Sequence, residues 1–181
     1  MAKDFTYLAG TLPMLFFGEK STVTLASFDE DVQRLTDSAT ADLLQKVSLY
    51  CEDAAGMPEA VRKYYDWENA LRNTLLEMRK KIRSDAADFK RNNPDFYSEI
   101  APALAQIGTM TDLLEAEKAI DRLRWSALDN FAAGHYTDLT ALAFYRIKLQ
   151  ILDKYATRNA EAGNQALEKI LAGLMNNDTT N

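Results

Sequence analysis

The chain is predicted to fold as an all-α, single-domain bundle of about six to eight helices with two long central ones, because helical periodicity dominates it from end to end. Val61, Tyr64, Leu71, Leu75, Met78 and Ile82 recur at steps of three and four, marking one buried stripe with Glu68 in its middle. From Leu139 to Tyr155, apolar residues cover two faces, Leu142, Tyr145, Leu149 and Leu152 on one, Phe144, Ile147, Ile151 and Tyr155 on the other. A helix apolar over so much of its circumference belongs in the centre of a bundle. The seven glycines and four prolines fall mostly between such patterns, so the punctuation separates helices instead of breaking them.

The elements follow in order. Leu8, Leu12, Leu15, Phe16 and Phe17 make the N-terminal stretch apolar, but Pro13 divides it and it is too short to span a bilayer, so it is expected to pack against the core. Thr22 to Leu25 is the one β-like run, too short to pair alone, and is read as an extended connection. Ser27 with Glu30 forms a capping-box signature before a short helix that buries Phe28, Val32 and Leu35 and ends near Asp37. A helix from about Ala39 to Asp53 should bury Leu43, Val47 and Tyr50, with Gly56 breaking the chain after it. Pro58 suits the first turn of the long helix, which reaches roughly to Phe89.

Asn92-Asn93-Pro94 is a turn signal, and Tyr97, Ile100, Leu104 and Ile107 then share a face that Pro102 should kink or divide. Thr111 is placed to cap a helix from about Asp112 to Ala132, with Leu113, Ile120, Leu123, Ala127 and Phe131 inward and Gly134 ending it in the left-handed conformation. Thr137 or Asp138 starts the last long helix. Leu167, Ile170, Leu171 and Leu174 add a further amphipathic turn or two, so the helical domain is read as residues 1–175 and 176–181 as a disordered tail.

Composition narrows the chemistry. Apolar residues make up 47% and charged ones 27%, a globular balance unlike that of disordered chains. A net charge of −6 without a dominant basic cluster argues against a nucleic-acid surface. Cys51 is the only cysteine, which excludes an internal disulfide and a multi-cysteine zinc site and fits a reducing cytoplasm. With one histidine, His135, the paired Glu-x-x-His elements of a di-iron bundle cannot be built. His135 follows Gly134 at a helix end, where an imidazole supports the turn. Glu115, Glu117 and Asp121 suggest a magnesium site, but Lys118, Arg122 and Arg124 are interleaved at helical spacing, so a solvated salt-bridge face is the better reading. No phosphate-binding glycine loop is present, and neither a catalytic residue, a metal nor a cofactor is expected.

More informative are charges on buried-looking stripes. Glu68 has Arg72 one turn away, and Lys148 sits between Phe144, Ile151 and Tyr155 on the last helix. Either Glu68 pairs with Lys148 or Arg72 and fixes helix register, or these charges face a protein partner and select it.

Three segments carry a resemblance: Tyr64-Tyr65-Asp66-Trp67-Glu68-Asn69-Ala70-Leu71-Arg72-Asn73, Glu115 through Asp129 with Asp121-Arg122-Leu123-Arg124-Trp125 at its centre, and Gly134-His135-Tyr136 running into Asp138-Leu139. With Tyr7-Leu8-Ala9-Gly10-Thr11-Leu12-Pro13 in front, they resemble a bacterial family encoded among the subunits of vacuolar- and archaeal-type (V/A-type) rotary ATPases. The pattern is distantly similar to the funnel component of those ATPases, designated C, or d in eukaryotes. That component is an all-helical body between rotor shaft and membrane ring, built from three repeats in a much longer chain. The resemblance implies a non-enzymatic connector or accessory subunit in an ion- or proton-pumping motor. Its partners would be the central stalk and the proteolipid ring, without nucleic acid and without insertion into the bilayer. It would sit in the cytoplasm, held at the inner face of the membrane through those partners. Trp67, Trp125, His135 and Tyr136 match the pattern, as does Arg124, and join Glu68, Arg72 and Lys148 as structural or partner-interface candidates. A helical adaptor of an unrelated complex and a ligand- or lipid-binding bundle, with Trp125, Phe144 and Tyr145 lining a cavity, are the competing expectations.

Overall fold

The computed structural model describes residues 5–50, 54–82, 90–91 and 97–156. Among them run seven helices and no strand: α1 (Thr6–Thr11), α2 (Leu25–Leu35), α3 (Ser38–Lys46), α4 (Glu59–Ile82), α5 (Ile100–Ile107), α6 (Leu113–Phe131) and α7 (Leu139–Ala156). The all-α expectation holds. Helix α7 is the hub, packed against α2, α3, α4 and α6, while α5 rests on α4 and α6 and α1 on α2. Its Leu142, Phe144, Ile147, Leu149 and Ile151 are buried on both sides of the helix, as a central position requires. No helix of the described residues is long and apolar enough to cross a membrane.

Chain chemistry explains the boundaries, including those the sequence misplaces. Helix α2 starts three residues before the expected capping box. Thr24 is its N-cap, accepting from the Ser27 backbone N–H at 3.1 Å while the Ser27 hydroxyl accepts from the Thr24 N–H at 3.0 Å. Helix α3 stops at Lys46, well short of Asp53, because α7 captures the chain just beyond it. Gln150 donates to the Val47 carbonyl at 3.1 Å and accepts from the Leu49 N–H at 2.6 Å, and Arg146 also donates to that carbonyl. Tyr50, expected inside, is 51% exposed as a result. Gly56, at φ +80°, makes the turn into α4, where a side chain would be strained.

Pro102 neither kinks nor divides α5. The helix begins at Ile100, which puts Pro102 in the first turn, where its missing N–H has no partner to lose. Asp112, not Thr111, caps α6, accepting from the N–H groups of Leu114 and Glu115 at 2.8 and 3.3 Å. Leu113, expected inward, is the first residue of that helix and 85% exposed. Gly134 turns the chain at φ +86° as expected, and Asp138 caps the start of α7 by accepting from the Ala141 N–H at 3.0 Å. The extension of α4 to Phe89, the Asn92-Asn93-Pro94 turn, Cys51, the amphipathic segment around Leu167 to Leu174 and the 176–181 tail lie outside the described residues.

Candidate functional site

The stripe on α4 delivers Glu68 into the interior, 3% exposed between Tyr64 and Leu71, which are fully buried. A carboxylate there needs partners, and it has two guanidinium groups. Arg72, one turn on, donates from Nε to Oε1 at 2.9 Å, and Arg124 of α6 reaches across with Nε to Oε2 at 2.9 Å and Nη2 to Oε1 at 2.8 Å, a bidentate pair. The remaining Arg124 nitrogen, Nη1, donates to Asp121 at 2.8 Å. Asp121, with no exposed surface, also accepts from Lys154 at 2.6 Å and from the Tyr155 hydroxyl at 2.5 Å, and Lys154 pairs with Glu117 at 2.7 Å. Among the described residues, three carboxylates and three cations, from α4, α6 and α7, thus join in one network.

Its electrostatics follow from competition between burial and pairing. Burial pushes the Asp121 carboxyl up, but hydrogen bonds from Lys154, Tyr155 and Arg124 outweigh it and hold the group below the ordinary carboxylate value. Burial works against the charged form of Lys154 too, and is overcome by Asp121 and Glu117, so its ammonium is held above the usual range. Burial likewise opposes the Arg124 charge, and Glu68 and Asp121 more than offset it.

Glu68 therefore has Arg72 as one of its two foreseen partners and Arg124 as an unforeseen one. Lys148 is elsewhere: its long stem runs over the Trp125 ring, with the ammonium 5.1 Å from the centroid and 2.5 Å from Asp129 Oδ1. The salt-bridge reading of the Glu115 to Arg124 segment is correct in kind, since Lys118 pairs with Glu115 at 2.8 Å. It is wrong in place for Asp121, which is interior. The signal for this was the register Asp121, Arg124, Trp125, Leu128, which shares one helical face with the core. Among the described residues, no group of acidic, histidine or cysteine side chains is arranged to hold a metal ion. Trp67 is a core residue, stacked on Tyr64 at 6.1 Å and donating from Nε1 to Glu99 at 3.1 Å.

Trp125, His135, Tyr136 and Lys148 converge on a different feature, an open groove of about 590 Å³ between the N-terminal segment and the outer faces of α6 and α7. Its near wall is the Leu12 to Phe17 segment, tied down by the Tyr145 hydroxyl, which donates to the Pro13 carbonyl at 3.0 Å, and by Phe17, edge-on to Trp125 at 5.6 Å. Burial pushes the Tyr145 hydroxyl up to about 12. His135 Nδ1 lies 2.5 Å from Asp138 Oδ2, so the imidazole braces the cap of α7. Met14, Phe16 and Tyr136 stand on the rim at 78%, 52% and 80% exposure and give the groove an apolar edge. Phe144 and Tyr145, foreseen as cavity residues, line this groove with Trp125, although it is open and not enclosed.

A family model, described as protein of unknown function (DUF2764), matches residues 60–178. The chain belongs to the DUF2764 family. The matched stretch holds every member of the ion network, whereas the Leu12 to Phe17 wall of the groove precedes it. No curated protein and no solved structure matches the chain.

Proposed function

We propose that the chain is a non-catalytic helical connector or accessory subunit of a V/A-type rotary ATPase, docking between central stalk and proteolipid ring at the inner face of the membrane. The reading rests on the resemblance carried by the Tyr64 to Asn73, Glu115 to Asp129 and Gly134 to Leu139 segments. The single observation that favours a docking role is the groove rimmed by exposed Met14, Phe16 and Tyr136 on a bundle internally cross-linked by charge. Such a body suits load transmission, because close-packed interiors are nearly incompressible and the ion network resists sliding of α4, α6 and α7 past one another. Affinity capture from native cells tests it. The wild-type chain is expected to retain stalk and ring proteins, and the Met14→Asp/Phe16→Asp variant to lose them while keeping its thermal midpoint. Capture without any rotary-ATPase component overturns the proposal, and a consistent set of other proteins assigns the chain to an unrelated complex.

A second reading, an apolar-ligand-binding bundle, is favoured by the convergence of Trp125, Phe144 and Tyr145 with the polar ends of Lys148 and His135 in that groove. Because Lys148 lies over the Trp125 ring, dodecanoate entering there would change tryptophan emission saturably. Unchanged emission dismisses this reading.

A further inference from the structure

On the opposite flank of Glu68 from the core, a second cavity of about 490 Å³ is lined by Tyr50, Arg72, Arg79, Arg91 and Arg124, floored by Leu75 and Leu76. No carboxylate lines it among the described residues, although the chain as a whole carries a net charge of −6. Glu68 and Asp121 neutralise Arg72 and Arg124 from behind, but Arg79 and Arg91 add two further guanidinium groups beside them, which makes the concavity attractive to an anion. We propose that this cleft binds a small soluble molecule through its phosphate group, and this holds independently of the connector reading.

The donors are placed and held for that task. Arg72 is positioned from below by Glu68 on its Nε, its terminal nitrogens have no acceptor among the described residues, and its guanidinium is stacked over the Tyr50 ring at 4.2 Å. Arg124 forms the deep wall, its nitrogens already facing Glu68 and Asp121. Arg79 lies seven residues beyond Arg72, two turns along the same face of α4. Arg91 comes from outside that helix and is fixed to it by Asn73, a residue only 8% exposed. The Asn73 side chain donates to the Arg91 carbonyl at 2.8 Å and accepts from the Arg91 N–H at 2.8 Å. Among the described residues, neither the Arg79 nor the Arg91 guanidinium has an acceptor. Guanidinium planes present paired N–H donors that match phosphate oxygens, and the volume suits a ligand of nucleotide size or less. The half-exposed Tyr50 ring offers a nucleobase a flat neighbour beside the phosphate position.

Isothermal titration of the full chain with pyrophosphate and with AMP tests the assignment. Saturable binding is expected, weakened at least tenfold in Arg79→Ala and in Arg91→Ala and unchanged in Arg34→Ala, whose exposed side chain on α2 is no part of the cleft. Because Arg79 and Arg91 hold up no other described side chain, both variants should keep the wild-type thermal midpoint. Asn73→Ala, which frees the Arg91 backbone, should weaken binding by a similar factor. Tighter binding of AMP than of pyrophosphate assigns the ligand to nucleotides, and the reverse assigns it to simple phosphates. Absence of saturable binding of either probe, equal binding by the arginine variants, or association only with phosphatidylglycerol vesicles overturns the proposal. Failure of the connector reading shows in the capture experiment alone and leaves these titrations untouched.

Discussion

Replacing Asp121 with Asn tests whether charge holds α4, α6 and α7 in register. The carboxylate has no exposed surface and accepts from Arg124 at 2.8 Å, Lys154 at 2.6 Å and Tyr155 at 2.5 Å. Hydrogen bonds to a charged group contribute about 1.5–3 kcal/mol each, while removing the carboxylate relieves part of its desolvation cost. What decides the sign is the Lys154 ammonium, 17% exposed, which loses its 2.6 Å partner Asp121 while staying paired with Glu117. Loss of one partner from a buried pair costs about 3–5 kcal/mol, so the urea midpoint should fall by roughly 2 M at a slope near 2 kcal/mol/M. Pairing Asp121→Asn with Lys154→Met should recover part of that loss, since no ammonium then faces the missing carboxylate. The pH dependence has a definite sign. With its folded value below the ordinary 3.8, Asp121 contributes fully above that pH and its contribution disappears as the solution is acidified through the lower folded value. With its folded value above 10.5, Lys154 contributes fully below that pH and is lost as pH rises through the higher one. The variant should therefore show a flatter acid limb than wild type. A midpoint shift under 0.5 M (about 1 kcal/mol at that slope), with no coupling to Lys154, would refute the reasoning.

Two further substitutions probe the core and a boundary. Tyr64→Phe should stabilise by about 1 kcal/mol, because the buried Tyr64 hydroxyl has no hydrogen-bond partner among the described residues. Its acidity agrees: burial, then the nearby Glu68 charge, push it well above the ordinary value. A lowered urea midpoint in Tyr64→Phe would mean that the hydroxyl is satisfied after all. Thr24→Ala should cost about 1 kcal/mol of stability by removing the cap of α2, while Glu30→Gln should leave the thermal midpoint unchanged. The opposite pattern would restore the capping box to Ser27 and Glu30.

Periodicity made the architecture legible, because a helix announces its buried face through residues three and four apart. Val61, Tyr64 and Leu71 are as buried as their spacing implies, and Glu68 was conspicuous among them for its charge. Its main partner was not legible. Arg124 lies 56 residues away, and nothing local to α4 names a position on α6. Lys148 attracted attention as a cation on an apolar face, yet a flexible four-carbon stem lets it leave that face for Asp129. Caps slipped for a related reason: Thr24, Ser27, Thr111 and Asp112 are all competent, and packing chooses among them. Neither concavity had a sequence signature, since each assembles residues from distant parts of the chain.

Arg146 of α7 closes a loop of unusual span. It grips Asp29 of α2 with Nε and Nη2 at 2.9 and 2.8 Å, 117 positions earlier, and the same guanidinium holds the Val47 carbonyl that ends α3. During synthesis, α2 and α3 therefore emerge long before the helix that receives them. Phe28 and Val32, buried in the finished fold, lack their α7 neighbours until that helix is made, so the nascent amino-terminal third presents apolar surface in the meantime.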